Sequence, residues 1–184
     1  LIPTERLRLL MLEKAEEIYK EKRGKDLNLT PAEKAVFMQL NMFGVPFENL
    51  KALLNPAISQ SERDKLQTEI ASNTVGIPYD KGNPARNKER FGTLNDLQIW
   101  FEAISRVSDS SHKDLLDKFS GDESKTAALN DLKGALRTGK AIAVKADKNT
   151  PVSIVEDVFD NLQTMNLNKF TLMTALKSED EPTQ

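Results

Sequence analysis

The chain has 184 residues with 26 basic and 28 acidic side chains, and its formal net charge of -2 gives no general attraction to nucleic acid. It has no cysteine, which excludes disulfides and thiolate metal sites, and its single histidine, His112, lacks a second candidate ligand for a metal or catalytic role. No apolar run approaches the roughly 20 residues that span a bilayer.

The first part of the chain has helical periodicity. Residues 1–23 carry apolar side chains at helical spacing and precede Gly24, which suits the end of a helix. Thr30 and Glu33 have the spacing of a capping box, so residues 31–42 are predicted to form a second helix.

Further helices follow. Residues 47–54 predict a short helix, and Thr93 is a suitable cap for the broad apolar stripe that runs to about Val107. Trp100 lies within that stripe, which favours a core position over a binding surface. Residues 123–138 predict another helix, ended by the glycine that follows.

The C-terminal stretch predicts strand, helix and strand. Residues 141–146 and 169–176 alternate between heavier and lighter apolar faces, as strands do. Between them, Thr150 is a predicted cap and Pro151 a predicted first helical residue. A crossover helix of this length usually joins parallel neighbours with a right-handed connection.

Motifs in this stretch resemble a known family. Residues 141–174 carry the pattern AxxVKADKxxPxxxVxDVxDxLQxxxxxKFxLxT, which resembles the C-terminal periplasmic core of ExbD and TolR, small membrane-anchored subunits of proton-driven energy transducers. LTPxEKxxFMxxxxFGVP at residues 29–46, GIPxD at 76–80 and NDLxxW at 95–100 are similar to segments of Bacteroidetes-type ExbD proteins. Two features depart from the family: no early hairpin is recognisable, and Val152 stands where an aromatic residue is frequent.

The resemblance implies an α+β fold. We expect an ExbD/TolR-like two-layer core over residues 121–177, a large helical insertion over residues 1–120 and a disordered tail over residues 178–184. Because the chain begins at Leu1 and not at methionine, we also expect a preceding segment. The resemblance implies that this segment holds a single transmembrane helix with the proton-carrying aspartate of the family.

Two groups of residues are candidate binding sites. Lys145, Asp147 and Lys148 follow or end the first strand, where open sheets commonly bind ligands, although Asp147 can equally cap the turn. The second group is Phe170, Leu172 and Thr174 on the second strand, whose open edge could pair with another chain. The chain has no phosphate loop, nucleotide fingerprint, triad or metal motif, so neither an enzyme nor a cofactor is expected.

The function implied by the resemblance is mechanical coupling. It places this region in the periplasm, on a single-pass inner-membrane subunit that powers TonB-dependent nutrient import across the outer membrane. The implied partners are an ExbB-like channel subunit, reached through the anchor, a TonB-like protein and a second copy of the chain. Two alternatives remain open: a TolR-like subunit of a Tol-Pal envelope-integrity system, and a soluble α/β ligand-binding adaptor.

Overall fold

The computed structural model describes residues 5–40, 42–73, 77–79, 94–108, 123–146 and 150–174. Over these ranges the chain has an α+β composition, as predicted, with helices and one small parallel sheet. The elements in chain order are α1 (Glu5–Arg23), α2 (Pro31–Gln39), α3 (Phe47–Leu53), α4 (Gln60–Asn73), α5 (Asp96–Ser108), α6 (Glu123–Thr138), β1 (Ala143–Ala146), α7 (Val152–Thr164) and β2 (Thr171–Thr174).

Helix α1 is the central support of the helical part. Leu12, Ala15 and Ile18 are fully buried, and their spacing places them on one face of the helix. That face packs against α5, and α1 also contacts α2 and α6. The helix ends where predicted, because Gly24 has a φ of 66° and its N–H donates to the carbonyl of Lys20 at 2.9 Å.

An aromatic cluster fills the space between α1, α2, α3 and α5. Trp100 is 6 % exposed and stacks on Phe47 with ring centroids 4.9 Å apart. Phe37 and Phe43 also lie beside the Trp100 ring, with centroids 5.9 Å and 4.9 Å away, and Tyr19 stacks on Phe47 at 4.8 Å. The prediction that Trp100 is a core residue is therefore confirmed.

Helix α5 begins with a capping box that the sequence reading did not identify. The side-chain oxygen of Asn95 accepts from the N–H of Gln98 at 2.8 Å, and Gln98 Oε1 accepts from the N–H of Asn95 at 3.1 Å. The expected cap, Thr93, lies outside the described residues. The two polar side chains of the box are themselves buried.

The sheet is parallel, as predicted from the crossover helix. β1 pairs with β2 so that Ala143 lies opposite Thr171 and Ala146 opposite Thr174. Helix α7 is the crossover, and the ring of Phe159 on α7 contacts Phe170, which precedes β2, at 4.8 Å. Phe159 thus packs against the entry to the second strand.

Several predicted boundaries in this unit are wrong. β1 starts at Ala143 and not at Ala141, because the N–H of Ala141 still donates to the last turn of α6, at the carbonyl of Ala135. β2 consequently starts at Thr171, the partner of Ala143, and not at Lys169.

The starts and ends of two helices also differ from the prediction. Pro151 occupies the N-cap position of α7 with a ψ of 136°, and no side chain caps this helix, so Thr150 is not its cap. Helix α2 has its predicted capping box but ends at Gln39, because Leu40 adopts an extended backbone. The helix therefore stops before Met42.

The C-terminal unit and the helical part share one core. Helices α6 and α7 both pack against α5, and Met165 at the end of α7 belongs to the same apolar cluster as Trp100. Buried Asn95 donates from Nδ2 to Oδ1 of Asn161 on α7 at 2.9 Å. The predicted division between residues 120 and 121 lies outside the described residues.

Candidate functional site

The first candidate site is the open sheet surface, which we define by exposed side chains on both faces of the sheet: Lys145 and Met173 on one face and Leu172 on the other. Leu172 and Met173 are 50 % and 51 % exposed, and Lys145 is exposed directly opposite Met173 in the ladder. Within the described ranges, neither strand has a second neighbour. The outer edge of each strand therefore offers unpaired backbone groups as well as apolar side chains.

The residues that the sequence predicted as binding sites differ in their exposure, and two of them lie outside the described residues. Phe170 is half-buried by its contact with Phe159, whereas Leu172 is half-exposed and pairs with Val144. Thr174 forms the last pair of the ladder. Asp147 and Lys148 lie outside the described residues, so of the turn only Lys145 is placed.

The second candidate is a charged cleft of about 470 Å³ in the helical part. We define the charged cleft by four side chains that line it: Arg23 at the end of α1, Lys25 just after it, Glu48 on α3 and Asp96 at the start of α5. Among the described residues, the wall also includes Tyr19, Pro46, Asn49 and Pro78. Three helix ends therefore bring two cations and two carboxylates to one cavity.

Asp96 is the most enclosed charged group of the cleft. Its Oδ2 accepts the N–H of Phe47 at 2.9 Å, which satisfies a free amide at the start of α3. Its Oδ1 is 3.5 Å from Nη2 of Arg23, too long for a strong charge-assisted hydrogen bond. Burial raises the pKa of Asp96, and this effect outweighs the Phe47 N–H and the Arg23 charge, both of which lower the pKa.

The guanidinium group of Arg23 is held by one hydrogen bond and has further N–H donors. Its Nη2 donates to the carbonyl of Leu94 at 2.8 Å, and this is its one hydrogen bond within the described part of the chain. A guanidinium has five N–H donors in a planar fork. With respect to the described residues, most of these donors are therefore available to a ligand.

A second pair of charges lies beside the first. Lys25 Nζ is 2.9 Å from Glu48 Oε1, and this hydrogen bond raises the pKa of Lys25 and lowers the pKa of Glu48. Both side chains are about two-thirds exposed, so the pair is easily opened. Burial raises the pKa of Tyr19, which lies in the wall of the cleft.

The charged cleft was missed by sequence reasoning. Its residues are dispersed from position 19 to position 96, and only tertiary packing assembles them. The available signal was Asp96 itself, a carboxylate next to the buried stripe of α5.

The described ranges lack two further features, a metal-binding cluster and a membrane-spanning helix. They contain no group of three or more histidine or acidic side chains placed to hold a metal ion. None of the helices in those ranges is long and apolar enough to cross a membrane.

Comparisons with family models, curated proteins and solved structures found no match to this chain. The family resemblance therefore rests on the sequence motifs alone.

Proposed function

We propose that this chain is the periplasmic part of an ExbD-like subunit in a proton-driven energy transducer of the ExbB–ExbD–TonB type, which powers import through outer-membrane receptors. The subunit would be held in the inner membrane by a single-pass anchor, through which it contacts an ExbB-like channel. The observation that carries the proposal is that the family-like pattern over residues 141–174 folds as a strand–helix–strand unit with an open parallel sheet.

The open sheet surface supports a role in binding a peptide segment in extended conformation. A two-stranded sheet is marginal in isolation, and strand addition satisfies its free backbone groups while alternate side chains provide specificity. Leu172 and Met173 supply apolar contacts on the two faces of β2, and Lys145 supplies a charge opposite Met173. The strand would be contributed by a TonB-like segment or by a second copy of the chain.

This mode of action requires no chemical step in the domain. The aspartate that would carry protons belongs to the proposed anchor, and the domain would convert movement of that anchor into binding or release of its partner. Lys145, Leu172 and Met173 would set the affinity of this contact. ExbD-like and TolR-like subunits share this architecture, so the partner distinguishes the two systems.

The test is titration of the isotope-labelled domain with the periplasmic segment of the TonB-like protein from the same organism, followed by amide chemical shifts and by scattering. The proposal predicts shifts concentrated in β1 and β2. Met173→Lys should weaken binding by about tenfold or more, since it removes a half-buried apolar contact and adds a charge.

Met42→Lys is the matched control. Met42 is 81 % exposed between α2 and α3, so the same replacement there should leave binding unchanged. Unshifted strand amides together with a monomer at high concentration would overturn the proposal. A full-length gene without a preceding transmembrane helix would favour the soluble adaptor, and binding of Tol components alone would favour the TolR-like system.

A further inference from the structure

We infer that the charged cleft binds a small zwitterion of the α-amino-acid type, with Arg23 holding the carboxylate and Asp96 holding the ammonium group. The cleft shares no residue with the open sheet surface, so this site is separate from the transducer contact proposed above. Its volume of about 470 Å³ lies within the range of roughly 300 to 1,000 Å³ typical of small-molecule sites.

The arrangement of Arg23 and Asp96 matches such a ligand. An α-amino acid carries its carboxylate and its ammonium group on one carbon atom, so the groups that recognise them must also be close together. Arg23 Nη2 and Asp96 Oδ1 are 3.5 Å apart, near each other but not tightly paired. A bound zwitterion would engage both groups and replace a long contact by shorter, charge-assisted hydrogen bonds.

Both groups are held in place before any ligand arrives. The carbonyl of Leu94 fixes the Arg23 guanidinium, and the N–H of Phe47 fixes the Asp96 carboxylate at Oδ2. Oδ1 of Asp96 and the remaining Arg23 donors are therefore preorganised, which reduces the entropic cost of binding. Burial of Asp96 also makes an added positive partner more favourable than it would be in water.

The second pair of charges argues against a simple ion as the ligand. A lone anion near Arg23 would meet Glu48 and Asp96, and a lone cation near Asp96 would meet Lys25 and Arg23. A zwitterion meets a complementary charge at each end. The Lys25–Glu48 pair is exposed and opens readily, so it can admit the rest of the ligand beside the Tyr19 hydroxyl.

The test is a titration of the whole chain with the standard α-amino acids, one at a time at millimolar concentration, followed by amide shifts and calorimetry. At least one should bind and shift the amides of Asn49 and Asp96. Its N-acetyl derivative and its methyl ester should each bind at least about tenfold more weakly, since each loses one charge-assisted contact.

Variants of α1 provide the matched comparison. Arg23→Met should weaken binding of the best amino acid by about tenfold or more, whereas Lys22→Met removes the same charge outside the cleft and should leave affinity unchanged. No binding by any amino acid would overturn the inference. Equal affinity of the blocked derivatives would do the same, and that measurement uses the unaltered protein, so it stands even if Arg23→Met fails to fold.

Discussion

Gly139 joins α6 to the sheet at a point where backbone atoms would crowd a side chain. Its φ is 76°, and a Cβ atom at this position would lie 3.2 Å from backbone atoms of Lys169 and Phe170. Its carbonyl accepts a hydrogen bond from the hydroxyl of Thr171 at 3.0 Å. The residue therefore fixes how closely the start of β2 approaches the end of α6.

Gly139→Ala should lower the free energy of unfolding by about 2–3 kcal/mol, because it adds a steric contact with backbone to the cost of a left-handed conformation. Gly24→Ala is the matched control: Gly24 has a φ of 66°, but a Cβ atom there would meet nothing within 4 Å. It should cost only about 1 kcal/mol. Urea unfolding measures both, and equal losses would contradict the close-approach explanation.

Asp96 should make stability depend on pH. Because burial raises its folded-state pKa above the ordinary value of 3.8, the folded protein holds this proton more tightly than the unfolded chain does. The resulting stabilisation is fully present below the ordinary pKa and is lost as pH rises through the raised value. The Asp96 carboxylate thus costs stability at neutral pH.

Asp96→Asn isolates this effect, because an amide oxygen can still accept the Phe47 N–H but does not titrate. The stability of the original protein relative to the variant should fall as pH rises from acidic to neutral. Urea midpoints of both proteins across that range measure the difference. A difference that is constant, or that grows with pH, would show that the Asp96 pKa is not raised in the folded state.

The helix ends in the first half of the chain could be predicted from the sequence, because each depends on residues only a few positions apart. The capping box of α2 consists of Thr30 Oγ1 accepting from the N–H of Glu33 at 3.3 Å and Glu33 Oε2 accepting from the N–H of Thr30 at 2.7 Å. The corresponding box at α5 was not recognised, because Asn95 with Gln98 is a less usual pair and Thr93 offered a more familiar cap.

Thr30→Ala should reduce the free energy of unfolding by about 1 kcal/mol, since a free amide of α2 loses its acceptor. Thr30→Ser keeps the hydroxyl and should stay within a few tenths of a kcal/mol of the original protein. Thermal unfolding followed by circular dichroism distinguishes the two. Equal losses would mean that the methyl group, and not the cap, provides the stabilisation.

At the scale of the whole molecule, one buried hydrogen bond aligns the C-terminal unit on the helical part. Asn161 is fully buried; its Oδ1 accepts from Asn95 Nδ2, and its own Nδ2 donates to the carbonyl of Asp157 at 2.7 Å. The pair connects the start of α5 with the last turn of α7. A buried polar contact of this kind favours one register between two packed helices.

Asn161→Ala should lower the free energy of unfolding by about 1–3 kcal/mol, because the amide of Asn95 would be left buried without an acceptor. Asn168→Ala, at an exposed position after α7, should change it by no more than about 0.5 kcal/mol. The fluorescence of Trp100, the sole tryptophan, reports the helical part, and circular dichroism reports all helices. Equal effects of the two substitutions would contradict the proposed alignment.

Features that depend on residues close together in sequence were predicted, whereas features that depend on tertiary packing were missed. The parallel strand–helix–strand unit, the Thr30 cap and the Gly24 stop depend on neighbours in sequence and were predicted. Full burial of Ile99 was missed, because helix periodicity alone does not show how many sides of α5 are covered. The charged cleft was also missed, since Arg23 and Asp96 meet only after α1 and α5 pack.

The packing of α1 against α5 has a consequence for how the chain is made. During synthesis α1 emerges well before the helix that packs against its apolar face, because that helix begins only at Asp96. Until α5 has been synthesised, Leu12 and Ile18 cannot pack against it. The apolar face of α1 is then exposed and can associate with other chains. The nascent protein is therefore most vulnerable to aggregation while residues 24–95 are being added, and a holding chaperone would act best in that interval.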